Sequence, residues 1–322
     1  MRIKCLALFT ALVLISINLA ACASSASGVP TLKKITVSFP DKNLEAMVRE
    51  AINKPEGDII SSDLQLLTSL TAREQNITDL KGLENCVNLV SLDLGQNSIK
   101  DIGPLASLKN LTALTIFSNQ IENVSPLASL TGLVELDLGG NQIVDISSLA
   151  NLVNLTNLSL AANKIVDISA LTGMTHLLDL DLSQNQVMDI SALAEMKDLT
   201  SLVTTLNNIS DLTPLVNHTN LVSLELGGNK IKDISPLSSC VSLVNLNLMG
   251  SPENNQISDI SPLSSLTKLK ELRMWNNQVK DISSLITLNA LKVLWILQGN
   301  PLSDESMNIY IPQLKMKGIQ VM

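Results

Sequence analysis

The hydrophobic positions of this chain follow a frame that recurs every 22 residues over most of its length. Each unit reads LxxLxxLxxLxLxxNxIxDIxx, with apolar residues in the frame and polar or small residues between them. In "VSLDLGQN" the frame residues Leu92 and Leu94 are predicted to point inward from a β-strand, whereas Ser91 and Asp93 point outward, because successive side chains of a strand alternate between its faces. The pattern therefore predicts one short strand in each unit.

A fixed period of about 20 to 29 residues containing LxLxxN is typical of leucine-rich repeats, in which one unit cannot bury its apolar face alone and stacking buries it. We expect a leucine-rich-repeat solenoid of the α/β horseshoe type, dominated by β-structure. Its curved parallel sheet forms the concave face, turns and short 3-10 segments form the convex face, and both ends are capped. The fourth position tolerates exchanges such as Cys86, Met174 and His218. The units begin at Leu83, Leu105, Leu127, Leu149, Leu171, Leu193, Leu215, Leu237, Leu263 and Leu285.

An asparagine recurs where the chain leaves the predicted strand of nearly every unit. A buried amide at this place can bind backbone groups of the turn that would otherwise lack a partner. The recurring "DIS" or "DIG", as at Asp145 and Asp233, suits capping of a short turn on the far side. In the final repeat the asparagine shifts by one, to Asn300. The predicted structural ladder comprises Asn97, Asn119, Asn141, Asn163, Asn185, Asn207, Asn229, Asn255 and Asn277.

The pattern divides the chain into five parts: a lipoprotein signal peptide at 1–21, a lipid-anchored flexible tether at 22–37, a helical cap at 38–61, a solenoid at 62–302 and a C-terminal cap at 303–322. The solenoid holds one degenerate and ten regular repeats. In the first cap, Leu44, Met47, Val48 and Ile52 recur at helical spacing behind Asp41, and we expect glycine to stop the helix. The eighth repeat carries an insertion, "SPEN" at 251–254, and such insertions map to loops, often on the binding side.

The first residues indicate export. Arg2 and Lys4 precede an apolar run that is too short for a confident transmembrane span. The run ends in "LAAC", which resembles a bacterial lipoprotein signal, where a lipid group is joined to the cysteine and cleavage falls before it. We therefore expect Cys22 to be lipidated and the protein to be anchored to the outer face of a bacterial membrane, at the cell surface. A plain signal peptide or an uncleaved anchor is the alternative.

The two cysteines of the solenoid are not expected to pair. Cys86 and Cys240 occupy the same place in repeats seven units apart. With strands about 4.8 Å apart, they would be separated by more than roughly 30 Å, which is far beyond the reach of a disulfide. Both are predicted to be small buried hydrophobic residues.

These repeats resemble the internalin-type family of bacterial leucine-rich-repeat proteins. The likeness rests on the 22-residue unit ending "NQIVDISSL", the short helical cap from Phe39 to Ile52, and the degenerate first turn "LTSLTAREQNITDLKGLENCVNLVSLDL". It covers roughly residues 38–322. The resemblance implies a secreted or surface-attached protein that binds proteins through its concave face and has no catalytic chemistry in its repeats.

Few residues of the sequence suggest a catalytic, metal-binding or phosphate-binding site. His176 and His218 are the only histidines, and His218 replaces a core leucine, so a structural role is favoured over a metal site, which needs three or four convergent ligands. No histidine is placed beside a plausible nucleophile and acid. "LGGNK" at 226–230 lacks the spacing and helix of a phosphate loop. We predict a non-enzymatic protein with no cofactor and no metal.

Charge indicates the kind of partner. Residues 23–262 contain 13 Lys and Arg against 26 Asp and Glu, whereas residues 263–322 contain 7 against 4. Glu135, Asp137, Asp179 and Asp181 all fall on outward strand positions. Acids of alternate repeats would lie about 9 to 10 Å apart, too far to share one calcium ion. A basic partner fits this surface, and nucleic acid does not, because its phosphates would be repelled.

The strongest contact region is expected at the C-terminal end of the concave face. Trp295 is predicted to neighbour Arg273 on adjacent strands. Trp275 follows Arg273 by two residues, about 7 Å further along the same face, and Met249 and Leu297 extend the group. Trp and Arg are the residues most enriched in binding hot spots. The alternative is that the closing cap or "SPEN" folds over these residues, so that they only seal the solenoid.

The aromatic residues help to choose between classes of ligand. Outside the signal and the caps they are Phe117, Trp275 and Trp295. A glycan would need aromatic platforms spread along the groove, so a protein ligand is favoured and a glycan- or cell-wall-binding module is the alternative. We expect the protein to be a monomer.

Overall fold

The frame leucines build one sheet of parallel strands. The computed structural model describes residues 35–250 and 255–322, and within them twelve strands pair in the order of the sequence. Leu92 lies opposite Leu114, and Leu114 opposite Leu136, so equal repeat positions form columns along the sheet. This register confirms the predicted leucine-rich-repeat solenoid. The strands are β1 Ser69–Thr71, β2 Ser91–Asp93, β3 Ala113–Thr115, β4 Glu135–Asp137, β5 Asn157–Ser159, β6 Asp179–Asp181, β7 Ser201–Val203, β8 Ser223–Glu225, β9 Asn245–Asn247, β10 Glu271–Arg273, β11 Val293–Trp295 and β12 Gln320–Val321.

The N-terminal cap contains α1, Lys42–Ala51, and the short α2, Ser61–Leu64. Leu44 and Val48 of α1 are fully buried, because their spacing places them on the side that faces the first repeats. The helix ends before the glycine that was expected to stop it. Its last residue is Ala51, and Asn53 then adopts a left-handed conformation with φ 51°. Asparagine tolerates this conformation better than most residues, so the chain can leave the helix there.

Asp41 holds α1 against the solenoid. One carboxylate oxygen accepts hydrogen bonds from the backbone N–H groups of Asn43 and Leu44, at 3.0 and 3.1 Å, and so caps the helix. The other oxygen accepts from the backbone N–H of Thr78 at 2.7 Å. Burial raises the pKa of Asp41, but the bonds from Thr78, Leu44 and Asp79 outweigh it and leave that pKa below its usual value.

The convex face carries a short 3-10 segment in each regular repeat. An aspartate precedes most of them, and its carboxylate accepts from the backbone N–H two residues later, as Asp145 does from Ser147 at 2.8 Å. This local bond favours a turn over a longer helix. The segments are Leu83–Asn85, Gly103–Ser107, Ser125–Ser129, Ser147–Leu149, Ser169–Leu171, Ser191–Leu193, Thr213–Leu215, Ser235–Ser239, Ser261–Ser265 and Ser283–Thr287.

The C-terminal cap closes the last repeat. A π-helical turn, Ser306–Tyr310, leads into α3, Ile311–Met316, and β12 then pairs with β11. Ile311 and Leu314 are buried against the repeats. The carbonyl of Met322 accepts from the N–H groups of Ile296 and Leu297, at 2.8 and 3.0 Å. The cap thus pairs backbone groups of β11 that would otherwise form an open edge.

The asparagine ladder lies at the end of the strands. In Asn185 the amide nitrogen donates to the carbonyls of Leu160, Leu182 and Ser183, at 2.9, 3.0 and 3.2 Å, and the amide oxygen accepts from Ile165 N–H at 2.9 Å. The bonds reach the preceding repeat, so each amide ties two units together. Its equivalents from Asn119 to Asn277 are buried in the same way, whereas the first, Asn97, is half-buried.

Departures from leucine at the fourth position are accommodated in the core. Cys86 and Cys240 are free and fully buried, and burial raises the pKa of their thiols to about 12 and about 11. His218 is also fully buried, and its Nε2 lies 3.1 Å from the carbonyl oxygen of Leu193. Its Nδ1 has no hydrogen-bond partner among the described residues.

Some predictions concern residues that the structure does not describe. The signal peptide, the lipidation site at Cys22, most of the tether, and the insertion at 251–254 lie outside the described residues. Among the helices of residues 35–250 and 255–322, none has the length and apolar character needed to span a membrane.

Candidate functional site

Three outward columns of side chains cover the strand face of the solenoid. We define them by β2: the first column contains Ser91, the second Asp93 and the third Gly95, with their equivalents in the other repeats. Leu92 and Leu94, which lie between them, are buried. The residues that differ between repeats therefore lie on one continuous surface, where a partner can reach them.

At the C-terminal end of this surface, the structure brings together the group that the sequence predicted. We call Met249, Arg273, Trp275, Trp295 and Leu297 the C-terminal cluster. Arg273 and Trp295 are opposite each other on β10 and β11. The rings of Trp275 and Trp295 meet edge to face, with centroids 5.5 Å apart and an interplanar angle of 69°. This arrangement is a favoured geometry for an aromatic pair.

The cluster is partly open to solvent. Trp275, Trp295 and Met249 are half-buried, and Leu297 keeps 36% of its surface exposed. The C-terminal cap contacts this region through backbone hydrogen bonds from Ile296 and Leu297 to Met322. The described part of the cap therefore leaves apolar surface of the cluster uncovered.

The cluster contains two polar groups, the guanidinium of Arg273 and the indole N–H of Trp295. The guanidinium of Arg273 contacts the carboxylate of Glu271, with Nε donating to Oε1 at 2.8 Å and Nη2 at 2.7 Å from the same oxygen. The indole N–H of Trp295 is buried and has no acceptor among the described residues. The cluster is thus an apolar surface whose one cation is already neutralised.

Phe117 lies elsewhere on the face, at the third column of β3. Seven strand spacings, about 34 Å, separate it from Trp275. The guanidinium carbon of Arg73 lies 4.6 Å from the centroid of the Phe117 ring, a cation–π contact. Gly95 makes it possible, because a Cβ there would lie 2.5 Å from Phe117 Cε1. The structure does not join Phe117 to the C-terminal cluster.

The acidic residues fall into two groups. Glu135 and Asp179, in the first column, are exposed. Asp137 and Asp181, in the second column, are half-buried and accept hydrogen bonds from the backbone N–H groups of Gly139 and Ser183, at 2.9 and 2.8 Å. The second-column acids thus also stabilise the turn that follows their strand.

The surroundings of Asp137 shift the pKa of its carboxylate upward. Burial raises its pKa, and the negative charges of Asp181 and Asp93 raise it further, whereas the bonds from Gly139 and Ser159 lower it. The charges that repel this carboxylate would repel any added anion. The middle of the face is therefore electronegative.

Comparison with known proteins agrees with this architecture. The family model of leucine-rich repeats in two copies matches residues 87–129, 109–151, 131–173, 219–265, 253–286 and 267–308. An internalin, InlF, from Listeria monocytogenes shares 33% identity over 91% of this chain and 92% of its own, with a TM-score of 0.76. The chain belongs to the internalin-type leucine-rich-repeat family. No curated protein matches the chain.

Two further Listeria monocytogenes internalins are similar to this internalin-type chain. Internalin C2 shares 33% identity, covering 76% of this chain and 100% of its own, with a TM-score of 0.58. The functional domain of InlJ, described as including a cysteine ladder, shares 26% identity, covering 90% of this chain and 62% of its own, with a TM-score of 0.74. In the described part of this chain the cysteines are Cys86 and Cys240, so a continuous ladder is not formed there.

Internalin-type repeats typically serve as non-enzymatic scaffolds for protein interaction. Residues 35–250 and 255–322 contain no group of three or more His, Cys, Asp or Glu side chains that could hold a metal ion. His176 lies on the surface, with its Nδ1 3.8 Å from Asp198 Oδ2, and His218 lies in the core. The two histidines do not converge on a site.

Sequence reasoning missed two residues on the internalin-type face. Arg73 was not singled out because its repeat is degenerate, although its position equals that of Phe117 two repeats later. Leu206 follows the third column of β7 and is 52% exposed. The sequence signal for Leu206 was a large apolar residue at a position that other repeats fill with Gln, Ser, Ala, Gly, Glu or Asn.

Proposed function

We propose that this chain is a non-enzymatic, surface-exposed lipoprotein that binds a protein partner through the concave face of its solenoid. The observation that carries the proposal is the C-terminal cluster, in which both tryptophans of the chain lie together and stay partly exposed. Exposed apolar surface of this kind is uncommon on a monomer unless something binds it. Trp and Arg at its centre are the residue types that dominate binding energy at interfaces.

A protein partner is favoured over a glycan. The two tryptophans contact each other, and Phe117 lies beneath Arg73. Aromatic faces are therefore not spaced along the groove as stacking platforms for successive sugar rings. A protein segment needs only one apolar anchor region with a polar rim, which the cluster and the neighbouring acids provide.

The binding hypothesis is tested by affinity capture with the chain from Ala23 onward, using wild type, Trp275→Ala and Ser91→Ala. Ser91 is exposed at the opposite end of the same face and serves as the matched control. We expect wild type and Ser91→Ala to capture the same partner protein in equal amounts. Trp275→Ala should capture at least tenfold less of that partner. Thermal unfolding of each variant shows whether a loss of capture is due to unfolding. Equal capture by all three would exclude the cluster as the site.

The lipid anchor is tested separately. Acyl chains contribute about 0.8 kcal/mol for each buried CH₂, so two or three chains hold a soluble domain on a membrane. We expect Cys22→Ala to release the protein from the membrane fraction or to block its maturation. Membrane fractionation after equal expression checks this, and a Cys22→Ala protein that stays as tightly bound as wild type would refute lipidation. Cys86→Ala, which changes a buried cysteine of the solenoid, is the control.

A further inference from the structure

In most repeats, the residue that directly follows the third-column residue adopts a left-handed backbone conformation. Its φ is 57° at Gln96, 55° at Gln184, 59° at Leu206 and 70° at Gly228. Glycine adopts this conformation without strain, whereas for a bulky L-residue it is unfavourable. The turn has this conformation whether the residue is Gln, Leu or Gly, so the conformation does not explain why one repeat carries a leucine there.

Leu206 is the large apolar residue in this series, and the fold gains little from it. It adopts the unfavourable φ and keeps 52% of its surface in solvent. Gly140 and Gly228 occupy the same position in other repeats, so glycine is compatible with the turn. A strained and exposed leucine, where a relaxed alternative is available, points to a role outside folding.

Gly227 and Gly228 connect Leu206 to the C-terminal cluster. A Cβ on Gly228 would lie 2.7 Å from Leu206 Cδ2, and a Cβ on Gly227 would lie 2.7 Å from Met249 Cγ. Leu206 and Met249 therefore cover this glycine pair from the repeats on either side of it. The apolar surface runs from β7 to β11, four strand spacings or about 19 Å.

The charge beside this surface is negative. Glu225 lies on β8, two residues before Gly227, and its half-buried carboxylate has no hydrogen-bond or ion-pair partner in the described part of the chain. Arg273 is occupied by Glu271. A partner is therefore attracted to this region by cationic groups placed next to its apolar side chains.

We propose that Leu206, Met249 and Trp275 form one recognition surface for a protein segment that carries large apolar side chains next to a lysine or arginine directed at Glu225. This rests on the proposed function, and it names the chemistry of the partner. Leu206 is an anchor to which the apolar side chains of that segment bind. The glycine pair leaves room for Leu206 and Met249 to lie over the sheet next to each other.

The test uses a displayed library of random 12-residue peptides, selected on the wild-type chain. The affinity of the selected peptides is then measured on Leu206→Gly, Glu225→Gln, Trp275→Ala and Gln184→Gly. Gln184 is exposed and left-handed one repeat earlier, which makes it the matched control. Both tryptophans of the chain lie in the cluster, so their fluorescence reports binding.

We expect the selected peptides to combine at least two large apolar residues with a Lys or Arg. Their affinity should fall at least tenfold on Leu206→Gly and on Glu225→Gln, and should not change on Gln184→Gly. Leu206→Gly should unfold at the same temperature as wild type or a few degrees higher, because the strain is removed. A simple loss of fold would instead lower that temperature.

The remaining outcomes separate this inference from the proposed function. Peptides that need Trp275 but bind equally to Leu206→Gly would overturn the extended surface and leave the C-terminal cluster as the site. Peptides that need neither residue would overturn both. Selection of acidic or wholly polar peptides, or of none, would overturn the proposed chemistry of the partner.

Discussion

Trp295 meets Trp275 edge to face at 5.5 Å, while its own indole N–H is buried with no acceptor among the described residues. An aromatic pair of this geometry contributes about 0.5 to 1.5 kcal/mol. An unpaired buried donor costs about 1 to 3 kcal/mol. The two effects oppose each other, so the contact between the two tryptophans contributes little net stability.

The first prediction follows from that balance. Trp295→Phe keeps an aromatic ring beside Trp275 and removes the N–H group. We expect the free energy of unfolding to stay within about 1 kcal/mol of wild type, because the lost ring area is offset by removal of the unpaired donor. Denaturant unfolding measures it, with Leu294→Ala as the control, which should cost about 2 to 5 kcal/mol because Leu294 is fully buried in the same strand. A loss above about 2 kcal/mol for Trp295→Phe would contradict the balance.

The second prediction concerns the asparagine ladder. Asn185→Ala removes three donated and one accepted hydrogen bond to backbone groups. We expect a loss of about 1 to 3 kcal/mol, because those groups remain buried without partners. Gln186→Ala, at the next and exposed residue, should cost less than about 0.5 kcal/mol. Equal denaturant midpoints for the two variants would refute a structural role for the Asn185 amide.

Much of the fold was predictable because one period governs the whole solenoid. Constant spacing fixes which residues lie opposite each other, so the repeat period alone is enough to place Arg273 beside Trp295. The insertion did not disturb this register. Arg273 pairs with Asn247, 26 residues earlier, because the extra residues fall after the strand.

The finer features of the site were not predictable, because side-chain direction and turn conformation decide them. The period places Trp275 two residues beyond Arg273, about 7 Å along the strand, but it does not reveal that the rings of Trp275 and Trp295 meet with their centroids 5.5 Å apart. Phe117 leans over Gly95, and Leu206 over Gly228, only because glycine leaves room. The strain at Leu206 depends on a left-handed φ that no leucine pattern reveals.

The third prediction uses the perturbed carboxylate of Asp137. Its folded-state pKa is raised above 3.8 by burial and by Asp181 and Asp93, so the folded state binds more protons than the unfolded state just above that pH. Stability contributed by this group is therefore lost as pH rises through that window. Asp137→Asn removes the charge and keeps an acceptor for Gly139, as Asn247 does for the N–H of Met249 at 3.0 Å.

We expect Asp137→Asn to be more stable than wild type at pH 7, by up to about 1 kcal/mol, and equal to it below pH 3.8. Asp145→Asn is the contrasting control. The bond from Ser147 lowers the pKa of Asp145, so its contribution is present above pH 3.8 and is lost as pH falls. Urea midpoints across pH 3 to 7 compare the two variants, and a stabilising effect of Asp145→Asn at pH 7 would contradict this assignment.

The fourth prediction concerns His218, which is fully buried at a position where half of the ten regular repeats have leucine. Burial and the positive charge of Lys197 lower its pKa below 6.5, although the carbonyls of Leu193, Leu215 and Val216 partly offset this. Because the folded-state pKa lies below the unfolded one, the unfolded state binds more protons in this window. The stability of the wild type is therefore complete above pH 6.5 and falls as the pH drops toward the folded-state pKa.

His218→Leu restores the repeat frame and removes both the titrating group and the unpaired Nδ1. We expect it to raise the free energy of unfolding by about 1 to 2 kcal/mol at pH 7.5, and by more at pH 5.5, because the wild type alone loses stability on acidification. His176→Leu is the matched control, since the His176 side chain is 72% exposed and its loss should change neither value appreciably. The free energy of unfolding of wild type, His218→Leu and His176→Leu, measured at pH 5.5 and at pH 7.5, tests this prediction. If the gain from His218→Leu were the same at pH 5.5 as at pH 7.5, protonation of the buried imidazole would not be what destabilises the wild type in acid.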